Sequence, residues 1–354
     1  MKIAVTADVH LTTREANPER FNALQDILGS LEGLGIEHLI IAGDLFNKDI
    51  SNYSEFEKLC EQYPRVTVHI IPGNHDPSVD KSRFTAGNVR AYNEPERIEL
   101  DSTFLFVPYQ LGTGMGEVIA SQAQHLDPGK WILVGHGDYC RGNRQAGSEE
   151  QGTYMPLFRS DIDLYKPRDV LLGHIHIHST DGKVHYPGSP CGLDISEVGH
   201  RSFLVYDTEN ASVSPHPVNT DVLFFQESFM IIPRDDERSR LKQEIDQRIA
   251  SWGLDESELG RVRLRVSARG FCNDKQAIAD QLRESFENFT HYKGEGPDVS
   301  ELSVSNNNDL GFIANQVEEE IASMDWGSCS EKDRPDHDEI MEQALQVIYG
   351  GGDA

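Results

Sequence analysis

An α/β fold built on parallel strands is predicted by three features of the sequence. Short apolar runs recur at Ile3-Ala4-Val5, Leu39-Ile40-Ile41-Ala42, Val68-His69-Ile70-Ile71, Ile132-Leu133-Val134 and Val170-Leu171-Leu172, each of strand length and bounded by turn formers. A helical period separates the first two. Each run is followed within a few residues by Gly, Asn, Asp or His, at the carboxyl edge where open α/β sheets carry their sites.

The 354 residues suffice for two domains, or for one large domain with appendages. No stretch approaches the ~18 consecutive apolar residues of a membrane span. Met1-Lys2-Ile3-Ala4-Val5 begins directly as a strand, so the expectation is a cytoplasmic protein without a membrane partner. Five scattered cysteines, none in a Cys-x-x-Cys pair, point to reduced thiols rather than a disulfide framework or structural zinc. A net charge of −27 weighs against nucleic acid, whose phosphates need Lys and Arg. Yet from Gly294 to Ala354 fifteen Asp and Glu face only Lys332 and Arg334, so about half of the excess lies at one end.

Lys2 to Ala7 reads as a strand, followed by Asp8-Val9-His10, whose spacing of two lets a carboxylate and an imidazole converge from one face. Pro18 to Leu34 carries Phe21, Leu24, Ile27, Leu28 and Leu31 at helical period and is stopped by Gly33 and Gly35. The next strand delivers Gly43-Asp44. Asp44 is expected at a strand tip facing solvent, where its two oxygens can touch two cations at once. A helix from about Ser54 to Tyr63 leads to the strand Val66 to Ile71 and then to Gly73-Asn74-His75-Asp76. Asn74 offers a neutral amide oxygen that binds a cation without adding charge, which leaves His75 to act as a general acid. The same tetrapeptide is also rich in turn formers and could serve conformation alone. Two further strands end in Gly135-His136 and in Gly173-His174-Ile175-His176, the last pair again two apart on one side. His178 keeps that phase but reads as a surface or supporting residue.

Taken in order, Asp8-x-His10, Gly43-Asp44, Gly73-Asn74-His75-Asp76, Gly135-His136 and Gly173-His174-x-His176 resemble the calcineurin-like metallophosphoesterases. Gly43-Asp44-Leu45-Phe46 and Tyr186-Pro187-Gly188-Ser189-Pro190, with Asp194-Ile195-Ser196-Glu197, further resemble the SbcD-type nucleases of double-strand-break repair. The resemblance implies a four-layer α-β-β-α sandwich as nuclease domain over 1–218, a small α/β DNA-capping domain over 219–293, and an acidic linker with a helical partner-binding tail over 294–354. It implies two Mn2+ ions, with Mg2+ as a substitute. One would lie on Asp8, His10, Asp44 and His176, the other on Asp44, Asn74, His136 and His174, with His75 as the acid beside the leaving sugar oxygen. The implied activity is exonuclease and endonuclease hydrolysis of DNA, as the nuclease subunit of a complex with an SbcC-like SMC-type ATPase in DNA repair or recombination. A second copy of the chain is a further candidate partner. One position departs from the pattern: Asn47 stands where several family members carry a second active-site histidine. It can hydrogen-bond a phosphate but cannot carry a proton at neutral pH. Leu45-Phe46-Asn47-Lys48 also lacks the Asp-Arg-Gly of the superfamily's phosphoprotein phosphatases.

Arg141 and Arg144, close after His136, are candidate DNA contacts. Beyond the catalytic unit, a strand from Phe224 to Ile232, a helix from Asp236 to Trp252, a strand from Val262 to Val266 and a helix from Lys275 to Phe289 suit a small α/β module. Arg261, Arg263 and Arg265 alternate there, either for phosphates or as a solvated face. Gly294 to Asn308 reads as a polar linker. Leu310, Ile313, Val317 and Ile321, then Ile340, Met341, Ala344, Leu345 and Ile348, mark two short amphipathic helices that either dock on a partner or fold back on their own domain. Two other functional readings stand beside the nuclease. One is a small-molecule or cyclic-nucleotide phosphodiesterase, favoured by the acidic charge; the other is an architectural subunit with a vestigial metal site.

Overall fold

The structure is a computed structural model and describes residues 1–48, 52–141, 153–305, 308–324 and 337–350. The chain divides into two compact units, Met1–Leu193 with His200–Val222, and Asp194–Gly199 with Leu223–Ala354.

The first unit holds two six-stranded sheets. Across the first, the order is Ser212–Val218, Arg201–Asp207, Lys2–Thr6, His38–Ala42, Thr67–Ile71, Val89–Ala91. Across the second it is Ser179–Asp181, Val184–Tyr186, Asp169–Gly173, Trp131–His136, Thr103–Phe106, Glu96–Glu99. Alternation along each strand sets the layers. Leu39 and Ile41 pack with Phe21, Leu24 and Leu28 of the Pro18–Leu34 helix, whereas Ile40 and Ala42 join Phe104, Phe106, Ile132 and Leu171 between the sheets. On the far side, Leu105, Leu133, Val170 and Leu172 pack with Met115, Val118 and Ile119 of the Met115–Gln122 helix. Strands buried on both faces read as continuous apolar runs, which is why these were legible in the sequence. The result is the expected α-β-β-α sandwich. Its first helix starts with Pro18 at the first turn and ends where Gly35 turns left-handed at φ 66°, so that Gly35 N–H donates to the Glu32 carbonyl at 3.3 Å.

The inter-sheet core is not wholly apolar. His69 lies 3% exposed beside Tyr92, its Nδ1 2.7 Å from the Tyr92 hydroxyl and its Nε2 3.0 Å from His38 Nδ1. Burial, helped by His38 and Arg90, pushes the His69 imidazole down to about 3, so it is neutral.

In the second unit Leu223–Ile231, Val262–Cys272, Thr290–His291 and Leu302–Val304 form a parallel sheet. The Glu237–Ser251 and Lys275–Ser285 helices cover one face, where Leu241, Ile245, Ile278 and Leu282 meet Phe229, Leu264 and Val266. The segment read as a polar linker is partly strand. Leu302–Val304 pairs with Gly270–Cys272, and Leu302, 2% exposed, enters the core that the linker reading overlooked. The helices Asn308–Ser323 and His337–Gly350 pack on each other and on Met230, Ile232 and Phe271, burying Ala314, Ile321, Met341 and Leu345. They thus find apolar cover inside their own unit. No helix among the described residues is long and apolar enough to cross a membrane, and Cys60, Cys140, Cys191 and Cys272 are unbridged thiols.

Candidate metal centre

The strand ends of the first unit meet at one place. After Lys2–Thr6, the Asp8 N–H donates to the Gly43 carbonyl at 3.1 Å and the His10 N–H to the Asp44 carbonyl at 2.9 Å, so the two loops run on side by side past the sheet. Asp8, His10, Asp44 and His174 adopt positive φ of 53°, 49°, 52° and 104°, a conformation that costs a side chain about 1–3 kcal/mol and collects at functional sites. Two glycines make the close approach feasible. A Cβ on Gly43 would strike the His136 ring, and one on Gly73 would strike the Asp44 carboxylate.

Asp44 is not solvent-facing as its strand-tip position suggested; it is 1% exposed. Gly73 backs against it, and its Oδ2 lies 3.5 Å from His10 Nε2 and 3.4 Å from His136 Nε2. Its Oδ1 accepts the His75 backbone N–H at 2.8 Å. On one side of Asp44, donor atoms of Asp8, His10 and His176 gather within 4.8 Å of one another. On the other, the Asn74 Oδ1 lies 2.8 Å from His136 Nε2 and 3.0 Å from His174 Nδ1. Asp8, Asp44 and His136 also converge within 4.8 Å, so the two groups are contiguous.

The chemistry of these donors fits a cation. His136 Nδ1 lies 2.8 Å from the Ala42 carbonyl, which can only accept, so Nδ1 carries a proton, and Nε2 faces the oxygens of Asn74 and Asp44 with either a second proton or a lone pair. His10 Nε2 is buried without a hydrogen-bond partner. Lone pairs aimed at lone pairs in a buried site require positive charge between them, a proton or a metal ion. Imidazole, carboxylate and amide oxygen form a mixed set suited to divalent transition metals.

The electrostatics point the same way. Burial would raise the Asp44 carboxyl, but His136, His10 and the His75 N–H hold it at about 2. Burial pushes Asp8 up to about 6, with His136 opposing and Asp44 adding to the rise. Against the pull of burial, Asp44 and Asp8 carry His136 up to about 9. Burial drives His10 down to about 3 and also lowers His75 and His174.

Several supports escaped sequence reasoning. Asp76, 4% exposed, accepts the Gly73 N–H at 2.7 Å and the Phe46 N–H at 3.0 Å, clamping two ligand-bearing loops together. Burial and the Asp44 charge push its carboxyl up to about 7. Asp138 places Oδ1 3.6 Å from His174 Nε2 while Oδ2 accepts the Tyr154 N–H at 2.7 Å. Its position two residues after His136, on the same strand phase, was the available signal. The Tyr-Pro-Gly-Ser-Pro stretch acquires a structural reason: Ser189 N–H donates to the His176 carbonyl at 3.0 Å, and buried Arg201 donates to that carbonyl and to the Ser189 carbonyl.

The remaining candidates lie outward. His75 is half-buried, its ring 4.7 Å from that of His10 and edge-on to it. The side-chain carbonyl of Asn47, half-buried, accepts the Lys48 N–H at 2.9 Å. Arg141 pairs with Asp181 at 2.5 Å. Arg144 lies outside the described residues. His178 Nδ1 is 2.9 Å from the Tyr186 carbonyl, away from the centre.

Residues 1–206 match the family model described as calcineurin-like phosphoesterase. No curated protein matches the chain. Among solved structures, an archaeal phosphodiesterase is 14% identical at TM-score 0.33, covering 62% of this chain and 100% of its own. The hypothetical protein PH1004 of Pyrococcus horikoshii is 14% identical at TM-score 0.33, covering 72% of this chain and 95% of its own. The Pseudomonas putida nuclease MPE is 16% identical at TM-score 0.25, covering 60% of this chain and 86% of its own.

Proposed function

The chain belongs to the calcineurin-like phosphoesterase family, and from that premise we propose that this phosphoester hydrolase is a metal-dependent DNA exonuclease and endonuclease of the SbcD type. The observation that carries the reading is the double convergence on Asp44. Asp8, His10, Asp44 and His176 would hold one divalent cation, and Asp44, Asn74, His136 and His174 a second, with manganese preferred and magnesium a substitute. Cations held there would supply positive charge against the phosphoryl oxygens and make a water acidic enough to serve as nucleophile at neutral pH.

The protein's own groups do the rest. Asp44, held ionised at about 2, contributes shared negative charge at any working pH. His75 is fixed by its backbone N–H to Asp44 and by its ring against His10, so its imidazole can give a proton to the departing sugar oxygen. Tyr154, 40% exposed with its ring 4.7 Å from His174, offers a face on which a base can stack. In the second unit, Arg263 and Arg265 alternate with the buried Leu264 and Val266, and Arg265 and Lys293 both stand 5.0 Å from the Tyr292 ring. Arg265 also pairs with Glu295 at 3.2 Å, and basic side chains beside an aromatic ring of the Tyr292–Gly294 turn support a nucleic-acid substrate. Phe312 and Val347 on the last two helices, 68% and 79% exposed, support docking on an SMC-type ATPase in DNA repair or recombination.

The test is cleavage of linear and circular DNA with manganese, magnesium or chelator, by wild type, Asp44→Ala and His75→Ala. Metal-dependent cutting is expected, reduced about 10³-fold or more by Asp44→Ala and about 10²–10⁴-fold by His75→Ala. His75→Ala should spare bis-p-nitrophenyl phosphate, whose leaving group needs no proton. Hydrolysis of that ester with DNA untouched, even after adding the ATPase, would replace the nuclease with a small-molecule phosphodiesterase.

A further inference from the structure

Two cavities of the first unit lie away from the ligands already described. The smaller, about 220 Å³, is walled by Asp138 and Ile175, the first beside His174 Nε2 at 3.6 Å and the second next to His174 in the chain. The larger, about 700 Å³, has room for a nucleotide. Tyr139, Arg141 and Asp181 line both, so the two share a wall, with the smaller on the side of Asp138 and Ile175.

The far end is basic in a chain whose net charge is −27. Arg141, Arg159, Lys166 and Lys183 face only Asp163 and Asp181 there. Both carboxylates are already engaged, Asp181 by Arg141 at 2.5 Å and Asp163 by Arg159 at 4.0 Å. Lys183 spends one of its donors on the Pro167 carbonyl at 3.3 Å. Lys166 ends the Arg159–Tyr165 helix in a left-handed conformation at φ 50°, and its carbonyl accepts the Gly129 N–H at 2.6 Å, which pins its backbone at the cavity wall. Neither lysine is ion-paired among the described residues. Pro128, Ile162, Val184 and Tyr139 supply apolar and aromatic wall between the charges.

We propose that these cavities form one groove that carries a single nucleic-acid strand away from the metal centre, with Lys166 and Lys183 neutralising phosphates several nucleotides from the scissile one. The proposal rests on the nuclease reading above. Tyr139, three positions beyond the ligand His136, already lines both cavities, and Arg141, five positions beyond it, lies at most about 17 Å of chain away, or about five stacked nucleotides. The groove also answers the charge problem of an acidic nuclease, since it places the needed bases along the strand's path rather than spreading them over the surface.

The experiment compares the full-length wild type with Lys166→Gln/Lys183→Gln and Lys166→Arg/Lys183→Arg. Binding of fluorescent oligothymidylates two to twelve nucleotides long is followed by anisotropy in chelator over a range of salt, beside manganese-dependent hydrolysis of bis-p-nitrophenyl phosphate. For strands longer than about five nucleotides, the Gln variant should bind about tenfold more weakly, with a salt slope shallower by about 1.4. The Arg variant should bind as wild type does, the dinucleotide should not distinguish the proteins, and ester hydrolysis should be equal in all three. Unchanged long-strand affinity and salt slope in the Gln variant would sink the groove while leaving the nuclease reading intact. Failure of the wild type to bind any oligonucleotide while still hydrolysing the ester would overturn both.

Discussion

Both units end parallel strands in the same kinds of residue and use them differently. In the first, Thr67–Ile71 runs into Gly73-Asn74-His75-Asp76, and the Asn74 amide oxygen faces two imidazoles. In the second, Val262–Cys272 runs into Asn273-Asp274, where the Asn273 amide donates to the Arg234 carbonyl at 3.0 Å and Asp274 Oδ1 accepts the Ala277 N–H at 3.0 Å, capping the next helix. Asparagine and aspartate at a strand tip therefore decide little by themselves. Histidine on neighbouring strands is what converts a cap into a candidate metal ligand, and among the described residues only the first unit brings such histidines together.

That contrast can be broken by substitution. Asp76→Ala removes two buried acceptor contacts in the first unit and is expected to cost about 2–6 kcal/mol, at 1–3 kcal/mol for each stranded N–H; a denaturant midpoint near that of wild type would show that the clamp is dispensable. Acid should separate the units next. His69 is held at about 3 in the folded protein against an ordinary 6.5, so between those values the unfolded chain binds a proton that the folded one does not. Stability then falls as pH drops below 6.5, by roughly 3 kcal/mol at pH 4, and His69→Gln should flatten the slope. Hydrogen exchange should report the loss at Thr67–Ile71 first, and equal loss across the second unit would count against His69 as the cause. Asp138→Asn is expected to weaken manganese binding about 10–100-fold, as loss of a carboxylate behind a ligating imidazole does; calorimetry showing unchanged affinity would remove Asp138 from the centre. The smallest effect belongs to the second unit, where Asp274→Ala should cost only about 1 kcal/mol and leave ester hydrolysis untouched.

The sandwich was readable because its strands are buried on both faces and therefore apolar throughout, from Ile3 to Leu172. Edge strands were not. Ser212–Val218 contains Pro215 and Pro217, tolerable only where one side of the strand is unpaired. Glu96–Glu99 is charged because it lies at an edge of the second sheet. At the centre, histidines and glycines at strand ends were legible as a pattern, but the burial of Asp44 was not, since it depends on Gly73 arriving from another strand. Arg201 likewise reveals its role only through the His176 and Ser189 carbonyls, which lie far from it in sequence.

The six residues Asp194–Gly199 cluster with the second unit although the chain on both sides belongs to the first. Val198 bridges Phe224, and the Gly199 N–H donates to the Phe224 carbonyl at 2.9 Å. The polypeptide therefore crosses between the units three times, and no single scission yields two complete pieces. A fragment stopping at Val222 would leave Val198 and Gly199 without the Phe224 backbone they meet. The complementary fragment would lack the backbone that meets Phe224. Exchanging the second unit intact therefore requires replacing Asp194–Gly199 together with the chain from Leu223 onward.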